Sequence, residues 1–165
     1  DFNNSIDKKT VKKIYNESFK RNERFPFWLL KKCSRENNVK FNVIYNNSKI
    51  VGFQYIVEYD NIAYLMYLAI KKELRNKGNG MQILKDLKDK YNNVVLSIER
   101  IDEEINNTKF RRKQFYLRNG YISANRYIID NNVEYEVLCS NSQLNVTNEI
   151  LEKRNTKMGR NVFAC

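Results

Sequence analysis

The chain contains no histidine. That absence excludes Ser-His-Asp and Cys-His catalysis and most catalytic zinc sites, so acid–base work falls to Glu, Asp, Tyr, Lys, Cys or ordered water. Proline occurs once and glycine five times in 165 residues, which leaves no Pro/Gly/Ser-rich linker. Neither an internal repeat nor a break in composition divides the sequence, and a single domain over residues 1–165 is expected. Three cysteines, Cys33, Cys139 and Cys165, are an odd number without paired spacing. They support neither a disulfide framework nor a zinc site, and free thiols in a reducing cytoplasm are expected, with no metal. The longest apolar run has nine residues, too few to cross a bilayer, and the amino-terminal stretch has no signal-like apolar region. These absences point to a soluble, cytoplasmic protein with no membrane partner.

Hydrophobic residues make up 42% of the chain, enough for one core. Val11, Ile14, Tyr15 and Phe19 share a helix face over residues 7–19, and Pro26 opens a second helix at 27–33. Strands follow at 40–45, 49–59 and 62–70, then a helix at 79–91, a strand at 93–99, a helix at 108–119, strands at 121–130 and 134–140, and a closing helix at 147–157.

The apolar run 62–70 reads as a strand buried on both faces, and it feeds the basic loop Arg75-Asn76-Lys77-Gly78-Asn79-Gly80. Beyond the loop Met81, Leu84, Leu87 and Tyr91 recur at helical spacing, so both glycines fall where the unpaired N–H groups of a helix start point outward. Glycine turns successive amides toward one point and places no Cβ between backbone and anion; Arg75, Lys77 and the helix dipole add positive potential. The loop lacks the Gly-Lys-Ser/Thr of a Walker sequence, and Ile83 stands where a dinucleotide fingerprint needs its third glycine. About thirty residues later comes KFRRKQFYLRNGYISANRYI, a basic helix that ends at Asn119-Gly120 and a strand that begins at Tyr121.

Arg-x-x-Gly-x-Gly after a buried strand, followed in order by Phe115-Tyr116-x-x-x-Gly120-Tyr121, resembles the two signatures of the GNAT superfamily of N-acetyltransferases. The resemblance covers residues 40 to roughly 139. It implies a single-domain α/β GNAT fold, a mixed twisted sheet of about six to seven strands with helices on both faces. Within it, 1–36 would hold the amino-terminal helices, 40–99 the strands, loop and following helix, and 107–140 the second-motif helix and last strands. The implied activity is transfer of acetyl from acetyl-CoA to a primary amine of a small molecule or peptide by direct attack. A non-catalytic acyl-CoA sensor or a basic nucleic-acid-binding protein is the alternative.

By the same resemblance, strands 67–70 and 95–99 splay apart, and the backbone of Leu68, Ala69 and Ile70 holds the pantetheine arm. Arg75, Asn76, Lys77, Gly78, Asn79 and Gly80 hold the pyrophosphate, and Arg112 reaches cofactor phosphate. Tyr116 stands where the family's tyrosine protonates the leaving sulfur. Glu99 is the base candidate, directly or through water. Lys109 occupies the place of the family's asparagine. The acceptor is expected between residues 20–28 and 130–133, with Trp28 in the core and Glu23, Glu58, Asp102, Glu103 and Glu104 available to attract a cationic amine.

The net charge of +11 gathers at 8–35, 71–90 and 109–118. A basic face is the usual footprint of a nucleic-acid binder. Clustering on the two cofactor-like segments favours the phosphates of coenzyme A instead, with the first cluster a solvated helix face. The odd cysteines and the carboxyl-terminal strands allow a homodimer without requiring one.

Overall fold

The computed structural model describes residues 1–5, 7–101, 108–130 and 132–155. Val11, Ile14 and Tyr15, spaced three and one apart, put an apolar stripe on α1 (Lys8–Ser18) and are buried. Pro26, with φ −54°, stands immediately before α2 (Phe27–Cys33), which buries Leu29, Leu30 and Cys33. Trp28, expected in the core, is 63% exposed. A helix turns about 100° per residue, and a core stripe on positions 29, 30 and 33 leaves position 28 outside.

Strand β1 (Val39–Asn46) turns through Asn47 and Ser48, both at positive φ, into β2 (Lys49–Tyr59), which pairs in turn with β3 (Ile62–Ile70). Then come α3 (Asn79–Lys90), β4 (Asn93–Glu99), α4 (Thr108–Arg118), β5 (Ile122–Asp130), β6 (Val133–Cys139) and α5 (Asn148–Asn155). The six strands form one mixed sheet in the order β1-β2-β3-β4-β6-β5, and only β3 and β4 run parallel. Two single 3-10 turns, Arg21–Glu23 and Lys72–Leu74, fall in stretches read as loop. Among the described residues no helix is long and apolar enough to cross a membrane.

Strand alternation divides the core in two. One face carries Phe41, Phe53, Tyr55, Tyr67 and Val95 against α1, α2 and Leu151 of α5. The other carries Ile56, Leu65, Leu96 and Leu138 against α3 and α4. The first is built from edge-on aromatic rings, Tyr15 on Tyr67 and Phe41 on Tyr55 among them. Burying a large apolar side chain contributes about 1.5–3 kcal/mol, so this cluster is the main anchor of the amino-terminal helices.

Burial raises the phenols of Tyr15 and Tyr55 well above the ordinary value of about 10. The folded chain keeps protons that the unfolded chain gives up near pH 10, so this stabilisation is complete below that pH and declines above it. The urea midpoint is expected to fall steeply above about pH 10, with tyrosinate absorbance from the buried rings appearing only as the chain unfolds. Tyrosinate absorbance from all the rings in a still-folded protein would contradict it.

Candidate active site

β3 pairs with β2 along its length but with β4 only at Ile62, Ala63 and Tyr64. Beyond Val95 β4 keeps its pairing with β6 on its other edge but loses β3, so β3 and β4 part and leave a gap in the middle of the sheet. The Lys71 N–H donates to the Val51 carbonyl at 2.8 Å. In an antiparallel pair every second residue turns both backbone groups to the same neighbour, so Tyr67 and Ala69 turn toward β2 with Lys71. Leu68 and Ile70 therefore turn theirs toward the gap. Of the three residues expected to offer main-chain contacts there, Ala69 is corrected: its groups belong to the β2 ladder.

At the end of β3 the chain makes the turn Lys72–Leu74 and enters the basic loop. Asn76 has φ 58° and Gly78 φ 78°, and the Asn79 side-chain amide donates to the Leu74 carbonyl at 2.9 Å, closing the loop on itself. The first backbone bond of α3 runs from the Gln82 N–H to the Gly78 carbonyl at 3.1 Å. The amides just ahead of it are those a helix start leaves over. The two glycines differ. A Cβ on Gly78 meets nothing within 4 Å, so glycine is there for its left-handed backbone. A Cβ on Gly80 would come within 2.9 Å of the Phe115 ring, so glycine there seats α3 against α4 rather than clearing an anion's approach.

Arg75, expected as a phosphate contact, ties the protein to itself. Its Nε donates to the Ile70 carbonyl at 2.9 Å and its Nη2 to Ser18 Oγ at 3.2 Å, linking the loop, the end of β3 and the end of α1. Arg75→Ala is expected to cost about 1 kcal/mol of stability and to speed hydrogen exchange in the loop amides, but not in β6. Unchanged loop exchange would show that these bonds do not hold the loop.

On the α1–α2 side the gap opens into a cleft of about 110 Å³. Phe19, Asn22, Glu23, Arg24 and Phe25 form one wall; Tyr64, Met66 and Tyr67 of β3, Ser97 and Glu99 of β4, Arg112 of α4, and Asp130 and Tyr135 complete it. Tyr67 fastens the wall: its hydroxyl donates to the Glu23 carbonyl at 3.2 Å and accepts from the Phe25 N–H at 3.4 Å. Tyr64 and Ser97 hydrogen-bond at 2.9 Å where the strands part.

α4 contains no carboxylate, and the sheet supplies the carboxylates it lacks. Lys113 pairs with the buried Glu136 of β6 at 2.6 Å, and Lys109, one turn earlier, pairs with Glu99. Arg100 pairs with Glu134 rather than with Glu99. Tyr116 faces inward, 9% exposed, with ring contacts to Phe115 and Tyr121. Burial raises its phenol, and the Arg112 charge offsets part of that rise.

Of the expected site residues, Glu99 and Arg112 both line the cleft, and Leu68, Ile70 and the loop 75–80 run along one end of the gap. Tyr116 stands one helical turn after Arg112, inside the second core. Glu23 lines the cleft, whereas Glu58 is engaged elsewhere by Lys40 and Tyr91. Asp102, Glu103 and Glu104 lie outside the described residues. Sequence reasoning missed Tyr64, Tyr67, Ser97 and Tyr135. Alternation along β4 places Ser97 beside Glu99, but the bulge at Met66 hides the tyrosine face of β3.

A six-stranded mixed sheet with a central gap, a glycine loop opening a helix at one end and a polar cleft at the other defines an acyltransferase architecture. The profile of the Acetyltransferase (GNAT) domain matches residues 37–123, more than half of the chain, and the protein belongs to that family. YjbC of Bacillus subtilis (strain 168), a candidate acetyltransferase, is 31% identical over 67 residues, 41% of this chain and 34% of YjbC. The match thus spans about a third of that relative. A candidate GNAT acetyltransferase from Bacteroides thetaiotaomicron superposes with a TM-score of 0.77 at 24% identity, over 92% of this chain and 90% of its own. An aminoglycoside 6′-N-acetyltransferase complexed with coenzyme A superposes with a TM-score of 0.66 at 13% identity, over 83% and 91%. At these identities the structural likenesses establish the fold.

Proposed function

We propose that the protein transfers the acetyl group of acetyl-CoA to a primary amine. The observation that carries this reading is the unpaired edge of β3, where Leu68 and Ile70 present main-chain groups to a gap with the amide-rich loop at one end and the cleft at the other. An extended amide-bearing arm fits such an edge as an added strand does, and the coenzyme A bound by the aminoglycoside acetyltransferase supports the choice. Acetyl-CoA, when bound, supplies an activated acetyl thioester.

The residues of the chain then divide the work. The loop amides from Asn76 to Gly80, with Lys77, hold the diphosphate, and Arg75 keeps the loop in place. The Leu68 and Ile70 N–H groups hold the arm, and one of them, aimed at the carbonyl oxygen, stabilises its developing charge. The Ile70 carbonyl is already taken by Arg75. Glu99, held by Lys109, accepts the proton of the incoming amine directly or through water. Tyr116, protonated because burial disfavours its phenolate, gives a proton to the departing sulfur. The fit of the acceptor falls to the cleft.

Calorimetric titration with acetyl-CoA, alongside ATP and a short DNA duplex, tests the reading. One-to-one binding of acetyl-CoA alone, weakened when Lys77 is neutralised, is the expected result. Equal binding of all three polyanions would instead make the basic segments a nucleic-acid surface.

A further inference from the structure

We infer that the acceptor is an amine carrying its own anionic group, a carboxylate or phosphate a few bonds from the nitrogen, and that Arg112 holds that group. The inference rests on the acetyl transfer proposed above. Three carboxylates line the cleft, and at first sight they invite a polycation. Each is engaged: Glu99 by Lys109, Glu23 by Lys20 at 3.9 Å, and Asp130 by neighbouring groups. The cleft's two guanidinium groups are not neutralised in the same way. Arg24 donates to the uncharged side chain of Asn16, and Arg112 enters no ion pair among the described residues. Among the described residues, then, both guanidinium groups face the cleft without an ion pair.

The whole molecule agrees with its cleft. At a net charge of +11 the field repels a polyamine or an aminoglycoside before it arrives and draws in a molecule with a negative end. Exposed Arg21 also stands beside Asn22 of the cleft wall. A guanidinium grips a carboxylate or phosphate with two parallel N–H bonds, which fixes orientation as well as position. Arg112 lies one turn before Tyr116 on α4 and shares the cleft with Glu99. An anion seated on it therefore holds the nearby nitrogen in the cleft that Glu99, the group proposed as base, also lines.

Matched acceptors test the idea: alanine against ethylamine, phosphoethanolamine against ethanolamine, and spermidine as the polycation, each followed by thiol release from acetyl-CoA. The anionic member of a pair is expected to exceed its partner in kcat/KM by roughly tenfold or more, and the two pairs tell carboxylate from phosphate. Arg112→Gln is expected to erase the difference, and Arg112→Lys to keep part of it, while calorimetric affinity for acetyl-CoA stays within about twofold. Preference for the neutral amines or for spermidine overturns the inference. So does a large loss of acetyl-CoA affinity in Arg112→Gln, which would return the guanidinium to the cofactor. Absence of both turnover and calorimetric binding of the anionic amines by the CoA-loaded protein counts against it equally. Failure to bind acetyl-CoA at all is a different result and strikes the proposed reaction itself.

Discussion

Gly52→Ala is expected to destabilise the protein by about 3 kcal/mol and to weaken acetyl-CoA binding with it. A Cβ at Gly52 would lie 2.0 Å from the Ala69 carbonyl oxygen and 3.0 Å from Ile70 Cα. Both obstacles are backbone, so no side-chain rotation relieves the clash; β2 or the end of β3 must shift. Either shift moves Leu68 and Ile70, whose main-chain groups line the gap. Urea denaturation and calorimetric titration on the same variant separate the two effects. Full acetyl-CoA affinity in a destabilised Gly52→Ala protein would mean that the end of β3 does not hold the cofactor arm.

Tyr116→Phe is expected to lower kcat by roughly ten- to a thousandfold, with acetyl-CoA affinity and fold retained. The substitution removes one hydroxyl and leaves the ring packed against Phe115 and Tyr121. Because burial raises the phenol, it remains a proton donor through neutral and mildly alkaline pH. The wild-type rate should then show no alkaline decline from Tyr116 below about pH 10. Unchanged turnover in Tyr116→Phe would make the residue part of the second core and nothing more.

Most element boundaries were legible in the sequence, because period-two and period-3.6 patterns are strong where burial is strong. Strands 49–59, 62–70 and 93–99 fall where the pattern puts them. The two walls expected for the acceptor also meet, through Glu23, Phe25 and Asp130. Orientation within β3 was not legible. Counting by twos from Tyr64 puts Leu68 and Ile70 on the α1 side, but one extra residue at Met66 reverses the count, and Tyr67 and Ala69 face α1 instead. Nor does sequence tell a guanidinium that binds a ligand from one that braces its own loop: Arg75 reaches Ser18 across 57 residues of chain. Trp28 misled because residue type argues for burial while helix phase decides it.

The gap between β3 and β4 is walled by peptide groups, and a peptide group is the one part of a residue that substitution by anything but proline leaves unaltered. What such a wall cannot survive is a change in spacing. Over generations the side chains of residues 68 and 70 are free to drift among apolar types, whereas loss or gain of one residue between Tyr67 and Lys71 would put every amide on the wrong side. A fold written in intervals rather than letters persists while identity falls, and two chains that share barely a quarter of their residues still superpose along nearly their whole length.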